Sequence, residues 1–417
     1  MNNNNRRIIR MVMLMVCASL LMASCHKKKE EAPTPEDLMA DRTVLIYISG
    51  ENSLSSFINE ELDQMKVGSK SIGEKNNLVV YVDAASKYTP PYLMRLKDGV
   101  GVDSVSMEES VASDPMVFEN VLKTVVSKYA AKDYGLVLWG HANGWLIKGD
   151  SIAYEEYFSR RYAYGVDNGE NRESNTGNWL NISTMSRVLE RTLPNLKFIF
   201  ADCCQFQCVE TAYELRHCCD YIIGSPAEIP GEGAPYQTVV PAMFSQQETY
   251  YQEVVDAYYA QTVSSCKEPL SAVNTSEMEN LAAATKAVLS SLVPTLSNPK
   301  YPDLTGLIYY YGEQWGSEKN FIDMNDFILA NASEDEYRTW KQALDRAVVY
   351  KTPTVGLQGR WISAQWINFN SFVLDEEHFG GISMFIPQER FNWSVNYNQL
   401  IKKTGWYYAA GYAEVGW

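Results

Sequence analysis

The chain is predicted to be an α/β protein, with a mostly parallel sheet covered by helices on both faces and a C-terminal α+β region. Three observations carry this. In the first 240 residues short apolar runs alternate with segments of helical spacing. The runs are continuous rather than alternating, as strands buried on both faces require. With 417 residues, 46% hydrophobic and 21% charged, the chain can bury a large core.

In chain order, "TVLIYIS" (43–49) reads as a buried strand, and "SLSSFINEELDQMKV" after it repeats Leu54, Ile58, Leu62 and Met65 at helical spacing. "LVVYVDA" (78–84) is a second strand. "VFENVLKTVVSKYA" (117–130) is an amphipathic helix with Val117, Val121, Val125 and Tyr129 on one side. "GLVLWGH" (135–141) is a third strand, and "STMSRVLERTL" (183–193) a helix with Ser183 as its expected cap. "LKFIFADCC" (196–204) is a fourth strand, "CVETAYELRH" a helix and "YIIGS" (221–225) a fifth strand. Beyond a boundary drawn near residue 250, "SEMENLAAATKAVLSSLV" (276–293) and "EDEYRTWKQALDRAVVYK" (334–351) read as helices and "GISMFIP" (381–387) as a buried strand.

The N-terminus is set apart from the fold. Arg6, Arg7 and Arg10 precede the apolar "MVMLMVCASLLMAS", and small residues Ala23 and Ser24 lead to Cys25. This resembles a bacterial lipoprotein signal over residues 1–25, in which Cys25 is lipidated after cleavage. Residues 26–42, "HKKKEEAPTPEDLMADR", read as a flexible tether, and their charged start resembles a tag that sends some lipoproteins to the cell surface. The expected location is the cell envelope, anchored by lipid to the outer membrane. No later segment is apolar enough to cross a membrane. The formal charge of −15 repels phosphate backbones and argues against nucleic acid as a partner.

Two strands end in reactive side chains, one in His141 and the other in "ADCC". Ligands of open α/β sheets bind beyond the carboxyl ends of the strands, and tips of neighbouring strands lie about 4.8 Å apart. His141 could then act as base toward a thiol, and the N-terminus of the following helix would favour the thiolate. The pleat puts Asp202 and Cys204 on one side and Cys203 on the other. Asp202 could orient His141, line a pocket for a cationic side chain, or cap the next helix.

"TVLIYISGENSL", "LVLWGHANGW", "RYAYGVDN", "FIFADCCQFQCVETAYEL", "YIIGSPAEIPGEGAPY" and "GGISMFIP" resemble, in this order, elements of the clostripain family of cysteine peptidases, of the caspase and gingipain type. The resemblance covers most of residues 43–390. It implies a caspase-like catalytic domain over 43–250, with the C-terminal region 251–417 able to extend the main sheet through 381–387. The family motif Asp-Ala-Cys, with Glu six residues after the Cys, maps onto Asp202, Cys204 and Glu210. By resemblance Cys204 is the nucleophile, His141 the general base, and Asp202 the acceptor of an Arg or Lys side chain before the scissile bond. Protein or peptide substrates are implied. Cys203 departs from the small residue usual at its position, and Ala142 from the Gly that often follows the His. Backbone amides of Ala142 and Cys204 still suit an oxyanion hole. Relatives cut themselves in the long polar segment after the His. The expectation here is a cut between residues 145 and 180, at Lys148, Arg160 or Arg161. No cofactor is expected, although some family members need calcium. Asp150, Glu155, Glu156, Asp167 and Glu170 lack the spacing of a calcium loop and read as a solvated acidic face.

Two alternatives compete. Cys203, Cys204, Cys208, His217, Cys218 and Cys219 hold zinc-ligand types without zinc-site spacing. The chain could instead be a non-catalytic surface lipoprotein binding peptide or glycan through "GRWISAQWINFNSF" and "WYYAAGYAEVGW", whose aromatics are otherwise core.

Overall fold

A computed structural model of the chain describes residues 39–147, 163–261, 267–292, 301–311, 319–357, 372–392 and 397–417. The signal, Cys25 and most of the tether lie outside them, as do Lys148, Arg160, Arg161 and Cys266. The strands are β1 (Ala40–Gly50), β2 (Asn76–Ala84), β3 (Tyr92–Lys97), β4 (Val100–Ser106), β5 (Ala131–Gly140), β6 (Tyr164–Asp167), β7 (Asn178–Leu180), β8 (Leu196–Asp202), β9 (Tyr221–Gly224), β10 (Ser271–Asn274), β11 (Ile322–Asp323), β12 (Val348–Lys351) and β13 (Ser383–Met384).

Nine of them form one sheet in the order β12-β10-β9-β8-β5-β1-β2-β3-β4. The central strands β9, β8, β5, β1 and β2 run parallel. Both flanks are antiparallel: the β3–β4 hairpin at one edge, β10 and β12 at the other. The pleat sends Leu45, Tyr47, Leu136 and Leu138 into a core on one face, with Val44, Ile46, Ile48, Val137 and Trp139 entering a second core on the other. Helices Pro115–Lys128, Ile182–Thr192, Val209–Glu214 and Met278–Leu292 close the first face; Ile58–Ser69, Tyr236–Met243 and Tyr250–Gln261 close the second. Each large side chain so buried contributes roughly 1.5–3 kcal/mol.

Helix Ile58–Ser69 buries Ile58, Leu62 and Met65, and helix Pro115–Lys128 starts from Asp114, whose side chain accepts the Met116 N–H. Three expectations are corrected. The cap position of helix Ile182–Thr192 falls on Asn181, not Ser183. Helix Glu334–Ala347 ends before Val348–Lys351, which become β12 beside β10; β-branched Val348 and Val349 suit a pleated surface better than a helix end. The 381–387 segment does not enter the main sheet. Its Ser383–Met384 pairs with β11, and Ser383 forms a bridge to Cys208. Ala40–Trp417 forms one compact unit, and contacts pass through residue 250 because β10 and β12 complete the sheet begun by the earlier strands.

Candidate active site

β5 and β8 are parallel neighbours, and Trp139 pairs with Asp202. His141 and Cys204 each stand two residues beyond that last couple. The strands stop at Gly140 and Asp202, so His141, Cys203 and Cys204 belong to the turns above the ladder rather than to the strands, where the apolar runs suggested them. The two turns touch. Gly144 of the His141 loop has φ +57, and a Cβ there would lie 2.7 Å from the Gln205 carbonyl oxygen. Only glycine fits both demands. Gln205 itself has φ +49, and the cysteine turn is pinned to the loop after β9 by Gln205 N–H donating to Ala227 O and Gln207 N–H to Ser225 O.

The two cysteines part as the pleat predicts. Ile199, Ala201 and Cys203 line one core, and Cys203 is 1% exposed. Cys204 is partly buried, and its Sγ lies 3.9 Å from the Ile229 carbonyl oxygen. Burial pushes the Cys204 thiol up to about 12, helped by the negative charges of Glu228 and Asp202. The helix that follows begins at Val209 with Cys208 in the cap position, too far along the chain to favour a Cys204 thiolate as expected. The resting form is a thiol.

His141 Nε2 lies 3.0 Å from Ser53 Oγ, and burial lowers the imidazole below its ordinary range, with Asn175 hydrogen-bonding it in the opposite sense. Asn175 Oδ1 also accepts the Ser53 N–H at 3.1 Å. Groups from β1's end and from the segment between β6 and β7 therefore orient the ring, while burial favours its neutral form. Ala142 bridges to Tyr164 through Asn143 N–H to Ala163 O and Gly165 N–H to His141 O, so its own N–H takes no part in the bridge.

Asp202 neither caps a helix nor touches His141. It is 3% exposed on the face opposite Cys203, where its Oδ2 accepts from Ala234 N–H at 2.9 Å and from Tyr236 O–H at 2.7 Å. Gly233, with φ +65, brings the backbone so close that a Cβ would stand 2.8 Å from this oxygen. Its Oδ1 has no hydrogen-bond partner. Burial pushes Asp202 up to about 6. Glu61 and Glu268, each 1% exposed, feel the Asp202 charge; burial, with that charge adding to it, raises them to about 9 and about 7, and each has an unpaired oxygen. Sequence reading missed Ser53, Asn175, Glu61 and Glu268. A signal existed for Glu61, since Ile58, Glu61, Leu62 and Met65 share the i, i+3, i+4, i+7 face that the helix buries.

Glu210 is buried and its Oε1 accepts the Phe385 N–H at 2.7 Å, tying the late chain to the helix after Cys204. Cys208 Sγ donates to Thr211 Oγ1, Cys218 Sγ to Ser186 O and Cys219 Sγ to Tyr221 O, three separate places rather than one ligand shell. His217 is exposed and His378 pairs with Asp375. Trp406, Tyr412 and Trp417 are core residues; of "WYYAAGYAEVGW" only Tyr408, 64% exposed, stands out as a large exposed ring, which leaves no sugar platform there. In "GRWISAQWINFNSF" only Phe372 is among the described residues. Asp167 is buried, not solvated, whereas Glu170 is exposed and pairs with Arg172; Asp150, Glu155 and Glu156 lie outside the described residues.

The clostripain family model matches residues 46–415. Among solved structures, a secreted C11 cysteine protease from Bacteroides thetaiotaomicron, in complex with an irreversible peptide inhibitor, has TM-score 0.71 and 28% identity over 90% of this chain and 100% of that one. An inactive zymogen C11 protease from Parabacteroides distasonis has TM-score 0.68 and 26% identity over 91% of this chain and 99% of that one. A search of curated proteins found no match. No helix among the described residues is long and apolar enough to cross a membrane. With a mixed α/β sheet of this order and a family match over nearly all of Ala40–Trp417, the chain belongs to the clostripain family and is a cysteine peptidase.

Proposed function

We propose that the protein is an endopeptidase in which Cys204 is the nucleophile and His141 the general base, and that it cleaves after Arg or Lys. The single observation that carries the dyad is the register of β5 and β8, which pairs Trp139 with Asp202 and sends His141 and Cys204 off adjacent strands at the same height. A thiol raised to about 12 at one strand tip, and an imidazole lowered by burial at the next, make a pair in which the thiol needs the base. His141 takes the Cys204 proton as sulfur bonds to the peptide carbonyl carbon, and the C–N bond breaks as the leaving amine takes that proton back. Water, deprotonated by His141, then displaces sulfur from the acyl-enzyme. The N–H groups of Ala142 and Cys204 suit the oxyanion, since Ala142's is not spent in its bridge.

The preference for a cation is supported by Asp202 Oδ1, buried and unpaired. A desolvated charge-assisted contact is worth roughly 1.5–3 kcal/mol. Self-cleavage between 145 and 180 and lipidation at Cys25 belong to the same reading. The first is supported by a relative described as a zymogen, the second by the N-terminal sequence and a relative described as secreted.

The test is a fluorogenic panel with Arg, Lys, Asp or Leu before the cut, run on wild type, Cys204→Ala and Asp202→Ala. Full turnover by Cys204→Ala removes the nucleophile assignment, and equal cleavage of all four substrates by wild type removes the role of Asp202. Wild type purified as a single intact yet fully active chain removes self-activation. Mass spectrometry of membrane-extracted protein without a diacylglyceryl mass on Cys25 removes the anchor.

A further inference from the structure

Two buried polar atoms, one from the segment after His141 and one from the helix after Cys204, meet no hydrogen-bond partner among the described residues: Trp145 Nε1 and Glu210 Oε2. Trp145 is 4% exposed and Glu210 0%. Leaving a buried donor and a buried acceptor unpaired is costly. Both residues line one small cavity, in which the centre of a water molecule has about 20 Å³ to occupy. That is room for a single water and for nothing much larger. Asn181 and Ser183 at the start of helix Ile182–Thr192 and Thr404 from the late chain complete its wall.

Around the cavity the backbone is already tied. Glu210 Oε1 accepts the Phe385 N–H at 2.7 Å, and Tyr412 O–H donates to the Phe385 carbonyl oxygen at 2.7 Å. The Trp145 ring rests on the Phe385 ring, with centroids 5.0 Å apart. The Trp145 backbone N–H bonds to the Cys208 sulfur, and a Cβ on Gly144 would stand 3.2 Å from that sulfur. The His141 loop therefore lies directly on the turn and helix that follow Cys204. What this contact leaves open is the pair of side-chain atoms, an N–H donor on one segment and a carboxyl oxygen on the other. A single water satisfies both, accepting from the indole and donating to the carboxyl. Burial pushes Glu210 up to about 7, which suits a neutral partner better than a cation, and Lys403 on the same wall is exposed.

We propose that this cavity is the site of one ordered water, and that Glu210, through the water and Trp145, is a positioning residue that holds the His141 loop against the Cys204 turn. The water site stands on the two unpaired atoms and the space they share. Its bearing on catalysis rests on the reading of His141 as the base and Cys204 as the nucleophile.

The test is a double-mutant cycle on the full chain, reading kcat, KM and the rate of Cys204 alkylation by iodoacetamide. Trp145→Phe keeps a ring on Phe385 and removes the indole donor. It should lower kcat and the alkylation rate together by about five- to tenfold, with KM within about twofold of wild type. Glu210→Leu should cost more, since it also frees the Phe385 N–H. Glu210→Gln keeps an oxygen for that N–H and an amide for the water, and should stay within about threefold of wild type. The double variant Trp145→Phe, Glu210→Leu should lose no more than about twofold beyond Glu210→Leu alone. Additive losses overturn the link, as does a Trp145→Phe enzyme with the kcat and alkylation rate of wild type, or a loss confined to KM. A crystal structure of wild type should show one water within hydrogen-bond distance of Trp145 Nε1 and Glu210 Oε2, and Trp145→Phe should lack it. A dry cavity in wild type overturns the site, even where Glu210→Leu fails to fold. His141→Ala reads the dyad separately: full turnover by this variant, with the water in place in wild type, would overturn the bearing on catalysis and leave the site.

Discussion

Two groups of buried acids flank His141 on one sheet edge, and they differ in what meets them. On the Cys204 side, Asp202 is held from below by Tyr236 O–H and Ala234 N–H, both at the start of helix Tyr236–Met243, and keeps Oδ1 unpaired. On the other side, Glu51 itself does the holding, with two loop N–H groups on one oxygen. The same side-chain chemistry is a carboxylate fixed by its neighbours in one place and a fastening in the other. Packed helical neighbours make a rigid carboxylate that can read a ligand; a carboxylate whose donors come from a loop transmits to that loop whatever happens to its own charge.

The largest expected effect lies between the two groups. Cys204→Ala should lower kcat by at least roughly 10³-fold without changing the melting temperature by more than a few degrees, as measured by single-turnover kinetics and calorimetry. Next, Asp202→Ala should cost roughly 10–150-fold in kcat/KM for an Arg substrate, the equivalent of about 1.5–3 kcal/mol, and far less for a Leu substrate. An equal loss on both would mean that Asp202 is structural and that the contrast with Glu51 collapses.

A pH profile sharpens the comparison. Asp202 titrates near 6 rather than in the usual carboxylate range, because it is buried. As pH falls through 6 it gains a proton and stops attracting a cation, so kcat/KM for Arg substrates should drop on the acid side. Burial lowers His141, so the base becomes protonated only at a pH below the ordinary imidazole range. A Leu substrate should therefore keep its kcat/KM to lower pH than an Arg substrate does. Coincident acid limbs in wild type would remove Asp202 from recognition.

On the loop side, Asn175→Ala should reduce kcat about tenfold, leave KM nearly unchanged and move the acid limb downward, since the Asn175 hydrogen bond raises the imidazole. A change confined to KM would mean that the loop binds substrate instead of orienting the base. The smallest effect belongs to Cys203→Ala. It buries a slightly smaller side chain in a core that Cys203 shares with Ile199 and Ala201, costs about 1 kcal/mol in stability and spares turnover.

Period and pleat are local properties of the chain, and they were legible without coordinates. Continuous apolar runs specified the parallel centre of the sheet. Two-residue periodicity separated Cys203 from Asp202, and that separation holds in the two cores. Even the unexpected β3–β4 hairpin had a local signal, since Asp98 and Gly99 both take positive φ in its two-residue turn. Where a segment docks is not local. Val348–Lys351 reads as the end of a helix until β10 offers it an edge, and 381–387 reads as a sheet strand until β11 and Cys208 claim it. The partners of His141 come from residues 53 and 175, and those of Asp202 from 234 and 236, distances along the chain that no periodicity spans. The sequence by itself determined which reactive side chains stand at the tips of two strands and which way the pleat turns them, because side-chain type and strand period reside in adjacent positions. Only the tertiary structure decided what surrounds them, because burial and hydrogen bonding depend on which distant segments the closed sheet brings together.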